Sequence, residues 1–361
     1  MRSNWGRSVA VISLVLLGCG PVQVDPRVSI PSLPTASSGA GDAGARIVFE
    51  KSSDIYSMDR RSKHRRRLTD KRGLDYIPQW SPDRSKIAFL HFSRRQTSLW
   101  VMRRDGSSER KVADNVVEHY DWSPDSDRLV YTLRDDPGLF TVRTDGSDKR
   151  EISSDERLIY GPDWSPDGTS IAITGGEMQG DTFNQDIFVV DIADGDIRRL
   201  TTDPAQDWQP RWSPDSSTIA FLTARNDPYD SEYGPYTSGI YAIDADGSNE
   251  RELTTGDKRK DQDHMWSPDG SRLVFVRTWD DDVAPSAGAG SHLRIYSLDD
   301  GRSVPMASPK HAYEPKWSPS GRWILYTIDD KTDAEIWRIQ PEGETAVRLT
   351  NNDEHDTRPD W

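Results

Sequence analysis

Apolar residues along this chain come in short bursts, not at helical spacing. From residue 46 onward, runs of four or five such as "KIAFL" (Lys86–Leu90) and "RLVFV" (Arg272–Val276) are followed by second runs such as "SLWVM" (Ser98–Met102) and "GIYAI" (Gly239–Ile243). Bursts of this length between turn signals are the pattern of strands. The phrase Trp-Ser-Pro precedes each first run, at Trp80, Trp122, Trp164, Trp212, Trp266 and Trp317, with spacings of 42, 42, 48, 54 and 51 residues; Trp361 follows after another 44. A turn comes next, Ser-Pro-Asp-Gly in its fullest form (Ser165–Gly168, Ser267–Gly270). Proline fixes φ in such a turn and glycine accepts positive φ. Later in the unit an Asp-Gly pair marks a hairpin, as at Asp105-Gly106, Asp145-Gly146 and Asp246-Gly247. A last short segment reads "RLT" (Arg199–Thr201, Arg348–Thr350) or a relative of it.

Each unit therefore predicts four strands and leaves no room for a helix. The apolar runs do not alternate cleanly with polar residues, so both faces of each sheet must be covered. Four-stranded sheets repeated radially satisfy this, because each packs between two neighbours. A sandwich would bury as much but gives no reason for one tryptophan phrase per period. The segment "RIVFEKSSDIYSMDRRSKHRRRLTD" (residues 46–70) holds the second, third and fourth strands of a unit without its first, and "RPDW" (Arg358–Trp361) is a first strand without the rest. The expected fold is all-β: a seven-bladed β-propeller of four-stranded antiparallel blades over residues 46–361, closed by the C-terminal strand joining the N-terminal blade.

The phrase Pro-x-Trp-Ser-Pro-Asp, as in Pro78–Asp83, with "DIY" (Asp54–Tyr56), "DIF" (Asp186–Phe188) and "RLT" resembles the PD40 repeat of TolB-type periplasmic proteins. The resemblance covers essentially all of residues 46–361 and implies a WD40-like propeller. Two blades depart from it, "HYDW" (His119–Trp122) and "DHMW" (Asp263–Trp266), which lack the proline before tryptophan. Val304-Pro305-Met306 replaces "RLT" in another, which an outer edge strand tolerates. TolB-type proteins also carry an α/β domain ahead of the propeller; residues 20–45 are too few for one, so a Tol–Pal role is not carried over.

The start of the chain changes the picture of where this propeller works. Arg2 and Arg7 flank a ten-residue apolar run, Ser8–Leu17, too short to span a bilayer. Leu16-Leu17-Gly18-Cys19 resembles a bacterial lipobox. Residues 1–18 are expected to be a lipoprotein signal peptide, with Cys19 as the lipidation site and membrane partner, and residues 19–45, rich in Pro, Ser, Ala and Gly, as a lipid-anchored flexible linker. Gly20 in place of an aspartate retention signal favours the periplasmic side of the outer membrane. Cys19 is the one cysteine, so no intrachain disulfide forms. The net charge of -14 argues against nucleic acid, and against an anionic lipid surface, as a partner of the chain as a whole.

Topology puts the inter-blade connectors and the loops between second and third strands on one face, and the Ser-Pro-Asp-Gly and Asp-Gly turns on the other. Insertions fall on the loop face of three consecutive blades: residues 175–186, 224–239 and 277–292. Long loops on a rigid scaffold favour binding, most plausibly of envelope proteins. The candidate residues are Tyr229, Tyr233, Tyr236 and Trp279 in these insertions, and Asp207, Trp208, Asp261, Asp263, Tyr313 and Asp356 in the connectors. No cofactor is required by that reading. The alternative is a divalent metal in the central channel held by His264, His311 and His355. Oligogalacturonate lyases resemble this repeat type and use a histidine-ligated metal at the channel mouth, which implies an oligosaccharide lyase or a sugar-binding protein. The basic run "RRSKHRRR" (Arg60–Arg67) sits in a hairpin of the turn face. The chain carries no Gly-x-Ser-x-Gly, no His-Glu-x-x-His and no glycine-rich phosphate loop.

Overall fold

The computed structural model describes residues 46–361 apart from 154–157, 180–181, 228–236, 257–258, 280–289, 330–332 and 344. The expected leader, Cys19 and linker lie outside the described residues, as do Tyr229, Tyr233 and Tyr236. The described residues contain strands and no helix, arranged as seven four-stranded antiparallel sheets. Each sheet runs from an innermost strand ending at the blade tryptophan to a short outer strand. Blade 1 is the exception in connectivity: its inner strand is Asp356–Asp360, followed by Arg46–Lys51, Asp54–Asp59 and Arg66–Arg67. The expected seven-bladed ring, closed by the C-terminal strand, is the observed one.

The second strand of each blade explains the unbroken apolar runs. In Lys86–Ser93, the side chains of Ile87 and Phe89 join Val48, Ile55, Trp80 and Met102 between blades 1 and 2. Their neighbours Ala88 and Leu90 join Tyr120, Trp122, Leu129 and Tyr131 between blades 2 and 3. One strand thus feeds two cores, and a polar residue on either face would be stranded without water.

The recurring phrases have recurring polar duties. In the turn after the tryptophan, the Ser81 hydroxyl donates to Asp83 Oδ1 at 2.6 Å and accepts from the Lys86 amide at 3.0 Å. Ser165 with Asp167 and Ser267 with Asp269 repeat the pattern. The threonine of "RLT" accepts from the third strand: Thr69 from Ile55, Thr201 from Ile187, Thr254 from Ile240 and Thr350 from Ile336, at 2.8–3.0 Å. Pro305 lies in the outer strand Arg302–Pro305, where its missing N–H has no neighbour to serve.

Two of the three insertions are less loop-like than the sequence suggests. In blade 4 the strands Ser170–Gln179 and Thr182–Asp191 stay paired out to Gln179 and Thr182, so the 175–186 segment is a lengthened hairpin. Gly175 permits it: a Cβ there would meet the Phe188 ring at 2.7 Å. In blade 6 pairing likewise runs on to Trp279 and Gly290.

The seam that closes the ring lies within blade 1, between its inner and second strands, and is noncovalent. Val48 pairs with Asp360, Glu50 with Thr357 and Lys51 with Asp356. The Trp361 indole is buried among Ile47, Phe49 and Met58 of blade 1 and Leu325 and Ile336 of blade 7, and its Nε1 donates to Lys316 O at 3.2 Å. Arg358 reaches Glu50 Oε2 at 3.2 Å and Glu314 Oε1 at 3.3 Å. Removing a core tryptophan side chain costs about 3–5 kcal/mol. Trp361→Ala is therefore expected to lower unfolding stability in urea by about that amount. A loss below about 1 kcal/mol would show that the seam does not hold the ring.

Candidate functional site: the central channel and its mouth

The inner strands line the channel, and their pairing with the second strands is broken by a bulge two to three residues before the tryptophan. The residue at this bulge is left-handed in six blades: Ile77 (φ 50°), Gly161 (54°), Gln209 (56°), Asp263 (53°), Glu314 (53°) and Arg358 (49°). Only one of these is glycine, so five side chains hold a costly conformation that the surrounding ring must enforce. Bulges re-aim side chains, and here they form a polar belt. Asp263 Oδ2 accepts from the Glu314 amide at 3.4 Å, and Glu314 Oε2 accepts from the Arg358 amide at 3.1 Å. Each carboxylate thus binds the backbone of the next blade.

A second belt lies immediately before the tryptophans: Gln79, Asp121, Asp163, Arg211, Met265, Lys316 and Asp360. Where this residue is aspartate, it accepts from the next blade's tryptophan amide: Asp360 from Trp80 at 2.8 Å, Asp121 from Trp164 at 2.7 Å and Asp163 from Trp212 at 2.7 Å. Where it is not, the next indole donates to its carbonyl: Trp122 to Gln79, Trp266 to Arg211, Trp317 to Met265 and Trp361 to Lys316. The indoles of Trp80, Trp164 and Trp212, which follow the aspartates, have no hydrogen-bond partner among the described residues. One residue type thus selects between two ways of joining adjacent blades.

The belts are electrostatically uneven. Arg211 Nη1 binds Asp163 Oδ1 at 2.9 Å, and Lys316 acts on Asp163 from across the ring. Asp121 has no cation bonded to it. Burial, then the neighbouring Asp163 carboxylate, pushes Asp121 up to about 7. Burial also raises Asp263, Glu314 and Glu50. Burial opposes the charge of Arg358, but Glu50 and Glu314 outweigh it and hold the guanidinium above its usual range. The inner strands thus hold buried carboxyls whose charge is disfavoured beside guanidinium and ammonium groups of the opposite sign.

The candidate residues separate into two groups. Asp207, Asp261 and Asp356 are fully buried. Asp207 binds Arg225 at 2.8 Å; Asp261 takes Arg277 through Nε at 2.5 Å and Nη2 at 2.6 Å, and the Thr254 hydroxyl at 2.6 Å. Asp356 takes Asn352 at 2.8 Å with Lys51 at 3.6 Å. Asp75, bound to His91 at 2.5 Å, completes the set. These carboxylates tie connectors to second strands. Trp208, Asp263 and Tyr313 are half-buried on the inner strands, and Trp208 packs against the core between blades 5 and 6. Trp279 ends its strand opposite Gly290.

The three histidines are not brought together. His264 is buried between blades and does not enter the mouth: its Nε2 bonds Ala220 O of blade 5 at 3.2 Å, and burial pushes it down to about 3. It stands where other blades have proline, as does Tyr120, whose hydroxyl donates to Ala88 O of blade 2 at 3.0 Å. The two departures from the repeat are therefore one device, a polar side chain reaching the preceding blade. His355 is exposed and His311 half-buried. Among the described residues, no group of three or more His, Cys, Asp or Glu is arranged to hold a metal. The belt before the tryptophans was missed in the sequence; its signal was the residue type preceding each Trp.

The raised Asp121 sets a pH dependence. The folded chain binds this proton more tightly than the unfolded chain, whose carboxyl titrates near 3.8. The penalty is absent below about pH 4, grows towards pH 7 and stays constant above. Asp121→Asn, which keeps an acceptor for the Trp164 amide, is expected to gain on the parent by about 1–3 kcal/mol at pH 8 relative to pH 4.5 in urea unfolding. An equal difference at both pH values would contradict this assignment.

Comparison with known proteins agrees with this geometry. The TolB beta propeller domain family, PD40, matches residues 99–361. An uncharacterized protein of Agrobacterium fabrum is 30% identical over 168 residues, 41% of this chain and 57% of that protein. A TolB homolog of Chlorobium luteolum is 27% identical over 158 residues, 41% of this chain and 35% of that protein. The chain thus spans about a third to a little over half the length of these relatives. Among solved structures, an oligogalacturonate lyase in complex with manganese superposes with a TM-score of 0.64 over 85% of each chain at 16% identity, a likeness of fold. With the seven-bladed ring and the repeat phrases, these matches place the chain in the TolB beta propeller domain family.

Proposed function

We propose that this chain is a cell-envelope lipoprotein, anchored through Cys19 on the periplasmic side of the outer membrane, whose propeller is a scaffold that binds envelope proteins at its loop face. The observation that carries the reading is the asymmetry of the two faces. The turn face is closed by the same Ser–Asp hydrogen bonds in successive blades. The loop face carries the insertions of three consecutive blades and, on its inner strands, the half-buried aromatics Trp208 and Tyr313. Rigid aromatics with a polar neighbour are the composition of binding hot spots. The kinship with TolB-type periplasmic proteins supports the envelope location. The apolar run ending at Cys19 supports the anchor. A metal-dependent oligosaccharide lyase or sugar-binding protein is the second reading, supported by the likeness of fold to oligogalacturonate lyase. It would need ligands other than His264, whose ring is enclosed between blades.

Two measurements test the proposal. In pull-downs from envelope extract, Trp208→Ala with Tyr313→Ala is expected to reduce partner capture at least tenfold, as hot-spot losses of about 2 kcal/mol or more do. Undiminished capture of the same partners would remove the loop face from the account. Cys19→Ser is expected to move the protein from the membrane to the soluble fraction; unchanged membrane association would remove the lipid anchor.

A further inference from the structure

The turn face of blades 7 and 1 differs from the rest of the ring. The turn after the blade tryptophan carries an aspartate in five blades, Asp83, Asp125, Asp167, Asp215 and Asp269; blade 7 has Ser320 there, followed by the exposed Arg322. Blade 1 has no such turn, since its inner strand Asp356–Asp360 and second strand Arg46–Lys51 are far apart in the chain. On this arc, which lacks the turn aspartate and whose outer blade 7 hairpin carries Glu342 paired with Arg272 of blade 6, stands the hairpin Arg60–Arg67. Arg67 is matched by Asp54 and His64 by Asp59, each at 2.8 Å. Arg61, Lys63 and Arg66 are exposed and pair with no carboxylate among the described residues; Asp105 of blade 2 acts on Arg66 only at longer range.

Blade 7 adds to the cluster instead of neutralising it. Arg338 Nη1 donates to Arg60 O at 2.8 Å, its guanidinium lies 4.3 Å from the Trp323 ring centroid, and its Nε has no hydrogen-bond partner. Arg65 Nη2 donates to Leu349 O at 3.0 Å. Burial, then the proximity of Arg60 and Arg61, disfavours the charge on Arg338. The cations of this cluster that meet no carboxylate form a local surface that gains from an external anion, working against the repulsion from a chain of net charge -14.

The chain leaves the propeller at the same place. Arg46 is the Cα partner of Asp59, and its Nη2 donates to His64 O at 3.0 Å. Arg46, the first described residue, therefore stands beside the basic hairpin, on the turn face. The path from Cys19 to Arg46 is 27 residues. A random-coil chain of that length would span roughly 30 Å on average, enough to let the face approach the anchoring bilayer at high effective concentration.

We propose that the arc formed by the Arg60–Arg67 hairpin and the Arg338 edge of blade 7 is a docking surface for an anionic phospholipid bilayer, with Arg60, Arg61, Lys63 and Arg66 set among lipid phosphates. The loop face then points away from the bilayer. The orientation rests on the proposed acylation of Cys19; the charge-driven contact does not. Each cation near an anionic surface strengthens binding about fivefold, so charge reversal at three positions predicts a loss of at least a hundredfold.

The test is co-sedimentation of the full chain carrying Cys19→Ser with neutral phosphatidylcholine vesicles and with vesicles containing phosphatidylglycerol. The expected result is stronger binding to the anionic vesicles, abolished by high salt and by Arg61→Glu with Lys63→Glu and Arg66→Glu. The control makes the same charge change on the loop face, Arg94→Glu with Arg95→Glu and Arg134→Glu, and retains most of the anionic preference. Three outcomes overturn the proposal: no anionic preference in the parent, equal loss in both triple variants, or salt-insensitive binding. Retention of an acidic protein by the hairpin without vesicle binding also overturns it. The anchor is absent from every arm, so failure here leaves the Cys19 assignment to its own fractionation test.

Discussion

A closed ring is only as strong as its one joint that the chain does not cross. All seven blade boundaries here are spanned by a connector, the last by residues 349–355; the joint the chain does not cross lies inside blade 1, where Asp356–Asp360 pairs with Arg46–Lys51. That joint uses every device found elsewhere in the ring at once. Trp361 fills the core and donates to Lys316 O, Asp360 caps the Trp80 amide, and Arg358 joins Glu314 of blade 7 to Glu50 of blade 1. Each residue of "RPDW" other than the proline makes a polar contact across blades, so register at the seam is over-determined. Without it, blades 7 and 1 would each expose an apolar sheet face to water.

The same constraint explains the character of the channel. In six of the seven inner strands the backbone takes a left-handed residue three positions before the tryptophan, at a bulge. Of these, Asp263 and Glu314 serve the ring by capping amides of the next blade. Charge is retained at the centre because the backbone groups there need partners. Asp121 carries the imbalance of the arrangement: it caps Trp164 well but sits beside Asp163, whose cation, Arg211, is already engaged. The carboxylates that join the blades thus also carry the electrostatic cost of the ring.

Most of the fold was legible because tryptophan, proline and glycine recur at fixed offsets, and the orphan first strand "RPDW" announced its partner. The site was legible only in part. An aspartate before a repeat tryptophan looks alike whether it faces solvent or a cation. Asp207, Asp261 and Asp356 prove to be buried because Arg277 and Lys51 on second strands, and Arg225 just beyond one, meet them, a pairing between separate segments that leaves no local pattern. His264 was read as a mouth residue from its place in a connector. Its position two residues before Trp266, where other blades place proline, turns it toward blade 5. Alternation along the inner strand carried that information, but the bulge interrupts the count. The lengthened hairpin of blade 4 was hidden by its glycines, which signal loops yet here let Phe188 close over Gly175.

The central claim is that the ring is locked by a strand contributed from the other end of the sequence. Amide hydrogen exchange of the peptide 356–361 reads this directly. The account predicts that its amides exchange as slowly as those of residues 46–51, through global unfolding alone. Exchange of 356–361 within seconds, while the other inner strands stay protected, would contradict it.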